Sequence, residues 1–451
     1  MSKLLGIHNQ PVRKLCVLKV AYLLVVLGAV SIWNSFDEDK FLGVNARWPR
    51  EGGPVFASHL ATWDAAHYLY LSEVGYRPGM PPCAFYPLWP LLVRGAAPIF
   101  GGSHLVTGLV LANLFSLAAW VLFHRLVARR WGEGAANWAL VFMVAFPGAL
   151  FFQFNYTESL FLLLVLGLWW GLEARRDRWA WLAACLLPLT RGVGVFAVLP
   201  IGWYVLEPVR KWVVEFAARE RKERKEGEGF SAFFAFFRGV WSEVAGAPNS
   251  NSARTLGSGS TQTRRTGVRR SGDLAPPAWQ SALRRSLAGR GWLLAGPLLG
   301  WAVYLALMWH WTGDPFEGFK AQKHWGVHSI SNLWNVPKFV VGLFTSYEWH
   351  EFTGSVLDRC MFLVLLYCLP ILWRLDKGLL VWTYMLGVLP AMSGTFTSYT
   401  RFASCAFPVF IALGVMLSRR EWRWGRYALL AVFAALHVVL VWRFVNFRWA
   451  G

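Results

Sequence analysis

Few residues in this chain can do acid–base or phosphate chemistry, and most of them lie in short polar stretches between long apolar runs. The first is Asp64, in "TWDAAHYLYLSEVGY". The stretch reads as a short helix that Thr62 caps, Gly75 ends and Pro78 prevents from continuing. Asp64, His67, Tyr68 and Leu71 fall on one face of it. A carboxylate in a first helical turn stabilises the macrodipole by about 0.3–1 kcal/mol, and that alone accounts for an aspartate here. The second reading is a general base, because a carboxylate partly withdrawn from water takes a proton more readily. His67, one turn on, is within reach to hydrogen-bond to it.

Glu158 follows Gln153, Asn155, Tyr156 and Thr157 in "FPGALFFQFNYTESLFLLL". Unpaired polar groups cost several kcal/mol in lipid, so these must meet partners or line a wet cavity, unless they only cap a loop. Asn155-Tyr-Thr is formally a glycosylation sequon, set very close to apolar sequence. Arg191, in "LPLTRGVG", interrupts a long apolar stretch where an arginine is expensive. Arg401 begins another apolar run in "SYTRFASCAFPVF". Each arginine can instead snorkel to an interface. Two guanidinium forks on one side of a membrane suit a phosphate or diphosphate, whose oxygens they bind in pairs. "TGDPFEGFKAQKHWG" adds Asp314, Lys320, Lys323 and His324, with Asp314 also explained by local capping. In "GYRPGMPPCAFYPLWPLL" the prolines forbid a regular helix, and Phe85, Tyr86 and Trp89 read as interfacial anchors.

The elements that must position these groups are membrane helices. Of the 451 residues 56% are hydrophobic and only 16% charged, well below the share of about 25% usual in soluble proteins. Apolar runs of spanning length recur at 15–33, 105–124, 136–152, 158–173, 179–190, 193–206, 292–311, 356–373, 379–396, 402–417 and 427–445, which makes an all-α polytopic protein of about 11 spans. The stretch 179–206 reads as one long helix or as two short ones, and Pro188 and Gly192 favour a break. With the basic N-terminus inside, strict alternation places every strongly basic loop in the cytoplasm and segments 34–104 and 312–355 outside. All the candidate residues then share the outer side. The net charge of +20 reflects this sorting and not nucleic-acid binding, for which no motif is present. The organisation expected is a membrane region 1–206 with outer loop 34–104, a basic cytoplasmic insertion 207–291, and a membrane region 292–451 with outer loop 312–355. The insertion starts with a charged amphipathic stretch and continues in a Ser-, Gly- and Arg-rich linker. The six cysteines have no metal-ligand spacing, and neither metal nor cofactor is expected.

The stretches "TWDAAHYLYLSEVGY", "AFYPLWP", "FPGALFFQFNYTESLF", "LTRGVGV", "TGDPFEGF" and "SYTRFASCAFPVF" together resemble the PIG-V-like mannosyltransferases, the family of the second mannosyltransferase of GPI-anchor synthesis. The resemblance covers most of the chain outside 207–291. It implies a GT-C-type fold with extracytoplasmic catalytic loops and a polyprenyl- or dolichyl-phosphate-linked mannose donor. It also implies that Asp64 carries catalysis. The acceptor is a lipid, a glycan or a protein. The long basic insertion and the Trp- and Arg-rich composition suggest a bacterial member in the plasma membrane with its site facing outward; in a eukaryote the site would face the ER lumen. The roles expected are Asp64 as base of an inverting transfer and Arg191, Arg401 and Lys320 on the donor phosphate. His67, Tyr86, Glu158 and Asp314 are secondary candidates. The competing function is a transporter or flippase of lipid-linked sugars. Its usual marks are repeats and midplane polar sites, and the sequence shows neither.

Overall fold

The computed structural model describes residues 10–32, 35–225, 278–326 and 328–451. Among these residues the chain is helical and forms no strand beyond one isolated bridge, Glu348 with Ser355. Five helices are long and apolar enough to cross a membrane: Leu15–Ile32, His104–Trp131, Trp279–Thr312, Val356–Leu375 and Arg420–Val445. A sixth is obtained if Gly192–Val205 and Glu207–Ala218 are counted as one broken span. The other expected spans are shorter or interrupted. The stretch 136–152 is a helix, Glu133–Ala145, followed by a 3-10 segment that Pro147 opens. The stretch 379–396 contains a π-turn at Tyr384–Val388, just before Pro390. Proline removes a backbone donor and clashes with the preceding turn, so apolar sequence alone overstates helix length here.

The chain divides into two compact units, residues 1–203 with 293–451, and residues 204–292. The smaller unit contains the helices Glu207–Lys225 and Ala278–Arg290. The amphipathic start of the insertion is thus helical. Its Ser- and Gly-rich part lies outside the described residues.

Small residues set the packing of the larger unit. A Cβ on Gly171 would lie 2.9 Å from the Ala180 nitrogen, so only glycine lets Glu158–Glu173 press against Asp177–Thr190. The first span is fastened by a lysine. Buried Lys19 donates to Ser116 Oγ (2.6 Å), Gln153 Oε1 (2.7 Å) and Asn113 Oδ1 (3.1 Å), with Trp120 below it at 4.2 Å. The expected break is present. The helix Asp177–Thr190 ends, Arg191 is extended, and a 3-10 segment Gly192–Ala197 follows.

Candidate active site

The helix bearing Asp64 spans Asp64–Glu73, and Gly75 stops it with φ +92°. Its N-cap is Trp63, held at φ 54° and ψ −125° with no side-chain cap bond. Thr62 does not cap: its hydroxyl is buried without a partner, while its carbonyl accepts from Tyr156 Oη at 3.1 Å. A non-glycine residue at positive φ is strained, and such strain persists only where the surroundings enforce it. Trp63 is enforced by its Nε1 donating to the Arg448 carbonyl (3.1 Å) and by stacking on Phe447, with centroids 5.0 Å apart.

The polar motif after Phe152 braces this helix. Asn155 Oδ1 accepts from Trp89 Nε1 at 2.9 Å, and Asn155 Nδ2 donates to the Ala65 carbonyl at 3.3 Å. Asn155 is fully buried, so the sequon is closed to modification. Four residues from four segments then join in one chain of ion pairs. Arg401 Nη1 donates to Asp64 Oδ2 at 2.5 Å, and Arg401 Nε to Glu158 Oε1 at 2.5 Å. Arg191 Nη2 reaches the same Glu158 oxygen at 3.0 Å. Glu158 is completely buried and its Oε2 has no partner. Both arginines lie over aromatic faces: Arg401 is 5.0 Å from the Tyr156 centroid and Arg191 4.5 Å from that of Phe402. Two acids balance two bases. Only Asp64, with its side chain 18% exposed, faces out of the cluster.

Asp64, Glu158, Arg191 and Arg401 are thus brought together, and the other candidates do not join this ionic chain. His67 is stacked on Phe85 at 5.2 Å and edged by Trp325, and its Nδ1 is buried without a partner. Burial pushes its imidazole down to about 4, against the opposing pull of the Asp64 charge. Tyr86 packs its hydroxyl against Gly192, beside Arg191. Lys320 and Asp314 pair with each other, with side chains 59% and 26% exposed, and that bond holds the Asp314 carboxyl below its usual range.

Three groups near the cluster escaped the sequence reading. Asp358, fully buried in the span Val356–Leu375, accepts from the Thr400 amide at 2.6 Å and so holds the residue before Arg401. Its signal was present, as an ionisable residue within an apolar run. His328 meets Phe402 edge-on at 5.2 Å, and burial with the nearby Arg401 and Arg191 charges lowers it to about 4. The segment 446–451 folds over Asp64. Trp449 sits edge-on to Trp63 at 5.4 Å, and its carbonyl accepts from Arg443 Nε at 2.5 Å. The cleft bounded by Trp63, Asp64, Tyr156, Arg401, Trp449 and Gly451 keeps only about 10 Å³ of free space, room for about one water. Among the described residues no three His, Cys, Asp or Glu side chains cluster as metal ligands.

Residues 52–244, a stretch that holds Asp64, Glu158 and Arg191, match the family profile described as mannosyltransferase (PIG-V). A search of curated proteins finds no match. Among solved structures the chain is similar to the oligosaccharyltransferase of Archaeoglobus fulgidus. One such structure, solved with zinc and sulfate, is 11% identical with a TM-score of 0.41, over 88% of this chain and 49% of that one. Another, the archaeal enzyme with an inhibitory peptide and a dolichol-phosphate, is 12% identical with a TM-score of 0.38, over 95% and 56%. The chain spans about half the length of these structures.

Proposed function

We propose that this chain is a GT-C-type membrane mannosyltransferase that moves a sugar from a polyprenyl- or dolichyl-phosphate donor to a lipid or glycan acceptor with inversion. The observation that carries the reading is the ionic chain Asp64–Arg401–Glu158–Arg191. At rest Arg401 engages Asp64 through Oδ2, one of its two carboxylate oxygens. A donor phosphate competes for that guanidinium, because the fork binds phosphate oxygens as well as carboxylate oxygens. Drawing Arg401 onto the phosphate frees Asp64. The acceptor hydroxyl then attacks the anomeric carbon, the bond from that carbon to the phosphate oxygen breaks, and the hydroxyl proton passes to Asp64. The leaving phosphate gains one negative charge, which Arg401 and Arg191 stabilise where it develops. Glu158 holds the two guanidiniums side by side. One carboxylate suffices for a single displacement, whereas a glycosidase needs two. Lys320, paired with Asp314, has no part in this scheme.

The test is to incubate the purified protein with labelled polyprenyl-phosphate mannose and membrane lipids. Label moving to a new lipid or glycan species is expected. Label that crosses sealed vesicles on its unchanged carrier, with no new species formed, would replace the transferase by a flippase.

A further inference from the structure

The outer loop 312–355 contains a nine-residue helix, Val336–Phe344, that has no buried residue although seven of its residues are apolar or proline-like in character: its sequence is VPKFVVGLF. Val336, Val340 and Phe344 follow i, i+4, i+8 spacing and Val341 adjoins them, so they form one continuous face. These side chains are exposed at 54%, 47%, 80% and 64%. Trp334 and Tyr347, just outside the two helix ends, are exposed at 82% and 70%.

The opposite face is fixed to the protein. Phe339 stacks on Phe396 with centroids 5.1 Å apart and meets Phe362 edge-on. The Gly342 carbonyl accepts from Arg359 Nη2 at 2.6 Å and from Nε at 2.9 Å. The apolar face therefore cannot roll inward. Lys338 turns its amine to Asn332 Oδ1 at 3.0 Å, away from the apolar face. The span Val356–Leu375, whose Arg359 and Phe362 make these contacts, itself exposes Val356, Leu363, Tyr367 and Trp373. On a helix that crosses a membrane, such exposed apolar side chains would face lipid.

We propose that Val336–Phe344 is a monotopic helix embedded in the outer leaflet, its Val336, Val340, Val341 and Phe344 face covered by acyl chains of the bilayer. A short helix with one apolar face and aromatic residues at its ends is the form that lies in an interface without crossing it. An apolar patch of this kind in water would be an aggregation hazard. Its anchorage through Phe362 and Arg359 on Val356–Leu375, a helix long and apolar enough to cross a membrane, favours bilayer lipid over a protein partner. The placement has a consequence for the site. Phe396, on which the helix rests, lies five residues before Arg401, so the helix fixes the depth of that segment near the headgroups. This inference does not depend on the transferase reading.

Site-directed spin labelling tests it without any activity assay. Single cysteines replace Lys338, Val341 or Phe344 in a full-length background carrying C16S, C185S and C360S, and the labelled protein is reconstituted in phosphatidylcholine vesicles. Labels at 341 and 344 should be relaxed by dissolved oxygen far more than by a water-soluble nickel chelate, and the label at 338 should show the reverse. Equal access of the chelate to 341, 344 and 338 would overturn the proposal and put the helix in water. Labels at 344 that are shielded from both reagents and lose their spin–spin broadening on dilution with unlabelled protein would assign the face to a second copy of the chain instead.

Discussion

At the scale of single residues, the ionic chain separates chemistry from scaffolding. Asp64→Asn keeps size and hydrogen-bond acceptance but cannot take up a proton. A lost general base typically costs about 10²- to 10⁴-fold in rate. The expected variant folds, binds the lipid-linked donor and transfers almost nothing, as measured by label transfer alongside donor binding. Transfer within a few-fold of the wild type would leave Asp64 a helix-terminus charge worth at most about 1 kcal/mol. His67 makes a different prediction, about pH. Its folded value lies near 4, below the unperturbed 6.5, because burial disfavours the charged ring. The folded state thus binds fewer protons than the unfolded one across this window. The stability His67 contributes is complete above pH 6.5 and is lost as pH falls towards 4, on the order of 3 kcal/mol in all. His67→Asn should flatten part of the fall in unfolding midpoint between pH 6.5 and 4.5. An unchanged slope would show that other groups account for acid unfolding.

At the scale of elements, the site depends on how the short helix Tyr399–Ala403 is seated. Asp358 holds its Thr400 amide, and Gly148 lies against the Thr400 carbonyl so closely that no Cβ would fit. These two contacts, from opposite sides, fix the backbone that carries Arg401. Asp358→Ala leaves a buried N–H without an acceptor, which costs about 1–3 kcal/mol. Because the freed amide is next to Arg401, donor binding should weaken as well as thermal stability. Asp358→Asn retains an acceptor oxygen and should recover most of both. Binding of polyprenyl phosphate measured beside the melting temperature checks this. An alanine variant that melts lower but binds the donor normally would limit Asp358 to packing.

At the scale of the whole molecule, charge sorting predicts one topology, with segments 34–104 and 312–355 outside. A cysteine placed at the exposed Lys320 should react with an impermeant reagent added outside intact cells. One at Arg420, in the basic "SRREWRWGR" loop, should be protected until the membrane is opened. The reverse pattern would invert the chain and move Asp64 to the cytoplasmic face. The same outer position would let Asp64 meet a donor whose prenyl tail lies in the bilayer and whose phosphate lies at the surface.

Much of this was legible in the sequence because membrane proteins are constrained so simply. Low charge, recurrent apolar runs and basic loops required a helical membrane protein, since lipid leaves the backbone few other ways to satisfy its hydrogen bonds. Asp64, Glu158, Arg191 and Arg401 stood out because an ionisable group in apolar sequence is costly without a purpose. The break before Arg191 was written in Pro188 and Gly192. Sequence could not supply partners. Asp64 and Arg401 are 337 residues apart, and no local pattern says that their atoms meet at 2.5 Å. It offered His67 as a partner for Asp64, whereas tertiary packing gave His67 to Phe85 and gave Asp64 to Arg401. Nor could it foresee that residues 446–451 fold over the carboxylate, because "NFRWAG" carries neither period nor motif. Composition and periodicity fix what a segment must avoid, while the identity of a buried charge's partner is settled only when distant helices pack and leave that charge one counter-ion within reach.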